Sequence, residues 1–169
     1  MLKVFSVSTL ILFCLAMIET TILSNISFLP AVPDLVLLAA IYIAMTNGKT
    51  VGLIVGFISG LILDWITGSP FGYNCLLRTI ICYCAGFFNG TLNFKGIFIP
   101  FLIGLGSTFL KVFVTWLMSL FYPNIVLNYS IISMSFFVEL LLNSILGPLM
   151  FKLVSCFDRQ LKLNRSGDF

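Results

Sequence analysis

Residues 48–64, GKTVGLIVGFISGLILD, form an apolar segment with a regular glycine pattern. Four of its glycines recur every fourth residue, which places them on one face of a helix. They are Gly48, Gly52, Gly56 and Gly60. Such a face lets another helix approach closely, and in lipid this packing holds helices together. Asp64 follows Gly60 by four residues, so we expect it in the same seam.

The partner of this glycine face is either another helix of the same chain or a membrane helix of a second protein. Gly86 and Gly90 repeat the four-residue spacing further along the chain. They predict a second close-packing face on a following helix. Packing within one bundle and binding of a partner helix both fit the pattern.

The whole chain has the composition of a membrane protein. Of its 169 residues, 60% are hydrophobic and 9% charged, and the mean hydropathy is +1.14. Soluble domains carry roughly 25% charged residues. Because a span takes about 20 residues, the length accommodates six spans and no soluble domain. The sequence predicts an all-α polytopic six-helix transmembrane bundle over residues 1–154, followed by a basic cytoplasmic tail over residues 155–169.

Two of the six predicted spans are short. Leu35–Met45 has eleven residues and Val51–Leu63 has thirteen, fewer than the roughly 17 that a crossing needs. Their flanks, residues 33–34 and 64–66, bring each close to spanning. Two full crossings are one interpretation, and a re-entrant hairpin is the other. The remaining spans are predicted at Val4–Ser24, Gly72–Leu92, Ile97–Tyr122 and Tyr129–Val154.

Basic residues fall on one side of this arrangement. They are Lys3, Lys49, Lys95, Lys152, Arg159, Lys162 and Arg165. The loops at residues 25–32, 67–71 and 123–128 contain no lysine or arginine. The positive-inside rule therefore places both termini in the cytoplasm. Lys49 favours two full crossings over the hairpin, and the weakly charged tail is expected at the anionic inner leaflet rather than on nucleic acid.

Five ionisable residues lie inside predicted spans, where a charge costs about 2.5–3.5 kcal/mol on insertion scales. They are Glu19, Asp64, Arg78, Lys111 and Glu139. Lys111 and Glu139 lie at similar depth near mid-membrane, so we expect an ion pair between them. Asp64 and Arg78 form a second predicted pair near the outer surface, with Glu19 and Asp34 at similar depth. Fixing helix register is one role for such pairs, and a proton or ion relay is another.

Catalytic and metal-binding chemistry has little support in the sequence. The chain has no histidine, the commonest general base and metal ligand. Cys82 and Cys84 are two residues apart, about 200° around a helix, so they do not face one metal ion. We expect no enzyme activity, no cofactor and no metal.

Three ordered motifs resemble the family of the bacterial rod shape-determining protein MreD. The first is Pro33-Asp34-Leu35, which opens a short apolar helix. The second is GFISGLILD over residues 56–64, and the third is the turn GSPFGYN over residues 68–74. Together they cover about residues 30–90, and beyond that range the resemblance rests on length and span count.

The resemblance implies a non-catalytic scaffold of the cell-elongation machinery, in the bacterial inner membrane beside an MreC-like bitopic membrane protein. Through this assembly it would act with MreB filaments, a RodA-type polymerase and a penicillin-binding transpeptidase. The implied fold resembles the substrate-binding subunits of energy-coupling-factor vitamin transporters. Capture of a vitamin, in a pocket lined by Trp65, Tyr73, Asn74 and Tyr129, is therefore the alternative function.

The residues expected to serve the scaffold function form an outer cluster that holds a partner-binding loop in one shape. Its members are Asp34, Asp64, Pro70, Gly72, Asn74 and Arg78. The helix-packing residues are Gly52, Gly56, Gly60, Gly86 and Gly90, and the buried ion pair is Lys111 with Glu139.

Overall fold

A computed structural model describes residues 2–23, 31–91, 96–121 and 134–161. Helix α1 (Leu2–Ile18) continues into a π-helical turn, Glu19–Leu23. The later helices are α2 (Leu35–Asn47), α3 (Lys49–Thr67), α4 (Tyr73–Gly86), α5 (Phe98–Phe121), α6 (Met134–Ser155) and α7 (Asp158–Leu161). The described ranges contain no strand, which confirms the all-α prediction.

Four helical segments are long and apolar enough to cross a membrane. They are Val4–Leu23, Lys49–Thr67, Phe98–Ser119 and Met134–Ser155. The chain is therefore a membrane protein, but the predicted count of six spans is not confirmed. Helices α2 and α4 have 13 and 14 residues, or roughly 20 Å of helix, whereas a hydrocarbon core is about 30 Å thick.

Helix α2 forms the centre of the described bundle. Every residue from Leu35 to Met45 is at most 9% exposed, and α2 contacts α1, α3, α4 and α6. A helix that is apolar all round suits such a position. Because its surroundings are protein rather than lipid, α2 is stable at a length too short for an ordinary span.

The glycine stripe of α3 packs against α4. An ideal Cβ on Gly52 would lie 2.5 Å from the Cys82 carbonyl oxygen, and one on Gly56 would lie 2.6 Å from the Arg78 carbonyl oxygen. Further along α3, Gly60 meets the backbone of Cys75. As the contacting residue in α3 changes from 52 to 60, its contact in α4 changes from 82 to 75, so the two helices are antiparallel. Within the described residues the stripe thus serves packing inside the bundle.

The second predicted glycine face is only half present. Gly86 packs against the start of α3, where an added Cβ would lie 2.6 Å from the Lys49 Cα. Gly90 lies in the turn after α4, at φ +78°, with nothing within 4 Å of an added Cβ. The prediction for Gly90 is wrong because α4 ends at Gly86 rather than continuing toward Leu92. In that turn the Asn89 side chain donates to the Met45 carbonyl at 2.7 Å.

Helices α5 and α6 meet at a seam that was not predicted from the sequence. An added Cβ on Gly147 would lie 2.6 Å from the Pro100 carbonyl oxygen, and Gly104 meets the Asn143 carbonyl at similarly close range. Pro100 precedes Gly104 in α5, whereas its contact Gly147 follows Asn143 in α6, so these two helices are also antiparallel.

The start of the predicted tail is folded onto the bundle. After α6, residues 156 and 157 turn the chain into α7, which packs against α1. Leu161 is fully buried, and the Tyr42 hydroxyl donates to Asp158 Oδ1 at 2.6 Å. Residues 162–169 lie outside the described ranges.

Replacing Tyr42 with phenylalanine tests this attachment. The change removes the hydroxyl that binds Asp158 and leaves the ring in place against Phe151. A hydrogen bond to a charged group contributes about 1.5–3 kcal/mol, so we expect a loss of about 1–2 kcal/mol in unfolding free energy. Thermal unfolding in detergent measures it. An unchanged melting temperature would mean that the tail contact adds nothing to stability.

Candidate functional site

Asp34 organises the beginning of α2. It is the N-cap residue, and its Oδ1 accepts a hydrogen bond from the Leu37 N–H at 2.9 Å. Carboxylates in this position satisfy N–H groups that have no partner inside the helix. The Asp34 backbone N–H donates to Asn143 Oδ1 of α6 at 2.8 Å. The side chain is 5% exposed, so this cap lies inside the protein.

Two cations from other helices converge on the Asp34 carboxylate. Arg78 Nη2 of α4 lies 2.6 Å from Oδ1, and Lys111 Nζ of α5 lies 3.3 Å from Oδ2. Both oxygens of one buried carboxylate therefore join three helices. Such an arrangement fixes how far each helix is rotated about its axis and shifted along it.

The predicted Asp64–Arg78 pair is wrong, because Arg78 binds Asp34 instead. The reason lies in the α3–α4 seam. Gly56 of α3 packs against the backbone carbonyl of Arg78. The Arg78 side chain instead reaches the N-terminus of α2, away from Asp64. A depth inferred from the sequence does not determine which side of the helix a residue occupies.

Lys111 and Glu139 form the contact that the sequence predicted. Lys111 Nζ lies 2.6 Å from Glu139 Oε1, and Glu139 is 1% exposed. Lys111 thus bridges two carboxylates, Glu139 of α6 and Asp34. We call Asp34, Arg78, Lys111 and Glu139 the ion network.

Asn143 extends the ion network on α6 and was missed by the sequence analysis. Its Oδ1 accepts from the Asp34 backbone, and its Nδ2 donates to Thr108 Oγ1 of α5 at 3.1 Å. The signal was its position four residues after Glu139, which places both on one helix face. A buried amide in a membrane helix needs such partners.

Glu19 reaches the same turn of α2 from the π-helical end of α1. Its Oε2 accepts a hydrogen bond from the Val36 N–H at 3.1 Å. Isolated π-helical turns are rare and occur frequently at functional sites. Here the Thr20 hydroxyl donates to the Ala16 carbonyl at 2.8 Å, which satisfies an acceptor beside the change of helix type.

Asp64 holds the turn between α3 and α4. Its Oδ1 accepts from the Ser69 hydroxyl at 2.9 Å and from the Asn74 backbone and side chain at 3.0 and 2.9 Å. Its Oδ2 accepts from the Gly72 N–H at 2.9 Å. One buried carboxylate thus binds the turn and the first residues of α4. We call residues 64–74 the clamped turn.

Pro70 and Gly72 determine the backbone conformation of the clamped turn. The Pro70 carbonyl accepts from the Tyr73 N–H at 3.1 Å, and Gly72 has φ +95°, where side chains are unfavourable. Two aromatic side chains project from this turn. Trp65 is 82% exposed and Phe71 is 83% exposed. The clamped turn is therefore a fixed support for two exposed rings.

The six residues of the predicted outer cluster fall into two groups. Asp64, Pro70, Gly72 and Asn74 belong to the clamped turn. Asp34 and Arg78 belong to the ion network. Arg78 lies in α4, one helical turn after Asn74. In the described residues no group of three His, Cys, Asp or Glu side chains is placed to hold a metal ion. The arrangement joins helices and fixes the turn between α3 and α4.

Comparison with known proteins identifies a family for the chain. The family model described as rod shape-determining protein MreD matches residues 1–157 of the 169. No curated protein and no solved structure matches the chain. The matched range includes all three motifs, the ion network and the clamped turn. The chain belongs to the MreD family of rod shape-determining membrane proteins.

Proposed function

We propose that this protein is a non-catalytic scaffold of the bacterial cell-elongation machinery that binds an MreC-like bitopic membrane protein. It would lie in the inner membrane with both termini cytoplasmic. Through its partner it would act with MreB filaments, a RodA-type polymerase and a penicillin-binding transpeptidase in peptidoglycan synthesis. Membership of a rod shape-determining family supports this role.

The observation that carries the proposal is the clamped turn. Its four bonds from Ser69, Gly72 and Asn74 to Asp64 hold it in one shape before any partner arrives. A preformed loop binds with a smaller loss of conformational entropy than a flexible one. The exposed rings of Trp65 and Phe71 supply the large apolar contacts that dominate protein interfaces. We assign the partner's extracytoplasmic contact to this turn.

Vitamin capture is the less supported function. Two of the side chains that would line a pocket already have partners in the described structure. The Tyr73 hydroxyl is 3.1 Å from Thr115 Oγ1, and the Asn74 amide donates to Asp64. Tyr129 lies outside the described residues. Thermal stabilisation of the purified protein by a vitamin would favour this function over the scaffold.

Co-purification with an MreC-like protein tests the scaffold. The Asp64→Ala change removes the acceptor of the clamped turn, and we expect the recovered partner to fall about tenfold, equivalent to about 1.4 kcal/mol of binding free energy. Asp158→Ala is the control, because it also removes a carboxylate that accepts a side-chain hydrogen bond, from Tyr42 of α2, outside the clamped turn. That variant should retain the partner.

A second pair of changes separates binding from folding. Trp65→Ala with Phe71→Ala removes only side chains that are more than 80% exposed, so the melting temperature should not change. Loss of the partner from this folded variant is the expected result. Full retention of the partner by both this variant and Asp64→Ala would remove the clamped turn from the interface and leave the rings as membrane-interface anchors.

A further inference from the structure

Five ionisable side chains meet at the N-terminus of α2, and their formal charges do not balance. Glu19, Asp34 and Glu139 carry three negative charges, whereas Arg78 and Lys111 carry two positive charges. The contacts that bring them together are those of the ion network and the Glu19–Val36 bond. An excess charge inside a membrane protein is costly unless a partner or a proton neutralises it.

Glu19 is the carboxyl group that lacks a cation. Among the described residues, no lysine or arginine nitrogen lies within 4 Å of it, whereas Asp34 has two such nitrogens and Glu139 has one. Its partner is the neutral N–H of Val36. Glu19 is the first residue of the π-helical turn, four residues before Leu23, so it is inside the span Val4–Leu23 and near one end of it.

Arg78 is a cation with unused hydrogen-bond donors. Its Nε and Nη1 are buried, and neither has a hydrogen-bond partner. Its Nη2 binds Asp34, which accepts from the Leu37 N–H. Glu19 accepts from the neighbouring N–H, that of Val36, so Glu19 and Arg78 approach the same turn of α2. Unused cationic donors and a carboxyl group without a cation therefore lie close together.

We propose that Glu19 is a proton-binding site that couples the end of α1 to the ion network. With the proton bound, Glu19 is neutral and keeps the hydrogen bond that it accepts from the Val36 N–H. When the proton leaves to water, the carboxylate turns to the free N–H groups of Arg78. Because Glu19 belongs to the π-helical turn, this exchange shifts the end of α1 relative to α2.

The charged groups that act on Glu19 are Asp34 at the start of α2, Arg78 of α4 and Lys111 of α5. Glu139 of α6 is joined to them through Lys111. Two further helices that pack against α1 carry carboxylates with partners of their own. Asp64 of α3 binds the clamped turn, and Asp158 of α7 binds Tyr42.

Infrared spectroscopy of the purified protein detects the proton directly. The chain contains two glutamates, Glu19 and Glu139, so ¹³C-labelled glutamate separates their carboxyl bands from those of the aspartates. We expect a protonated glutamic acid band at neutral pH that disappears reversibly at high pH. Its absence from labelled wild-type protein at neutral pH would overturn the proposal without any variant.

Two matched variants assign the proton. Glu19→Gln should abolish the band, and Glu139→Gln should retain it, whereas the reverse result would place the proton on Glu139 and overturn the proposal. Arg78→Lys keeps the positive charge but removes the free donors, so the band should persist to higher pH. An unchanged titration in folded Arg78→Lys protein would refute the exchange with Arg78.

Discussion

Replacing Gly60 with alanine is expected to prevent the chain from folding into a stable bundle. The new Cβ would lie 2.5 Å from the Cys75 backbone nitrogen and 2.6 Å from the Asn74 carbonyl oxygen. Both are backbone atoms at the start of α4, which Asp64 fixes, so neither moves without breaking the clamped turn. Overpacking usually costs about 1–3 kcal/mol, and we expect about 3 kcal/mol or more here.

The matched control is Gly106→Ala on α5, where nothing lies within 4 Å of the added Cβ. Alanine in an exposed helix interior is favoured over glycine by up to about 1 kcal/mol, so this variant should be at least as stable as wild type. Size-exclusion profiles and thermal unfolding in detergent compare the two. A wild-type melting temperature for Gly60→Ala would show that α3 and α4 are not in such close contact.

The α3 seam was predictable from the sequence because it depends on the helical period alone. A glycine at every fourth position defines a face whatever helix packs against it. The identity of that helix was not predictable. It requires knowing where α4 begins, and Asp64 determines this through contacts with Gly72 and Asn74. The end of α4 at Gly86 depends likewise on contacts with the α2–α3 junction.

The contacts of the charged residues were likewise only partly predictable from the sequence. The Lys111–Glu139 contact followed from equal depth on consecutive helices. To predict that Arg78 binds Asp34, one would need to know how α4 is rotated about its axis. The contact between Gly56 and the Arg78 backbone determines this rotation. The α5–α6 seam was missed because Gly104 and Gly147 lie on different helices and form no repeat within either.

Lys111→Met is expected to destabilise the protein strongly, and more than Glu139→Gln does. Lys111 binds both Glu139 and Asp34, at 2.6 and 3.3 Å. The substitution leaves Glu139, which is 1% exposed, without its lysine. Breaking a buried pair in this way costs about 3–5 kcal/mol, because a charge stays behind in a medium of low dielectric constant.

Glu139→Gln should cost less, about 1–2 kcal/mol, since Lys111 keeps its contact with Asp34 and glutamine retains a hydrogen-bond acceptor. This asymmetry distinguishes the observed network from a simple pair, in which removal of either partner leaves one buried charge. Thermal unfolding of the two purified variants measures it. The exposed Lys49 supplies the control. Its Nζ lies 4.6 Å from the Phe87 ring centroid, a contact that contributes about 0.5–1 kcal/mol at an exposed site, so Lys49→Met should cost no more than about 1 kcal/mol.

The double variant Lys111→Met with Glu139→Gln completes the cycle. Neutralising Glu139 removes the charge that Lys111→Met left behind, so the pair of changes should be less destabilising than Lys111→Met alone. Recovery should remain partial, because Asp34 then has Arg78 as its one cation among the described residues. Full recovery would show that the Lys111–Asp34 contact adds nothing, and no recovery would show that Lys111 and Glu139 are not energetically coupled. Either result would contradict a network in which one lysine joins α5 to both α2 and α6.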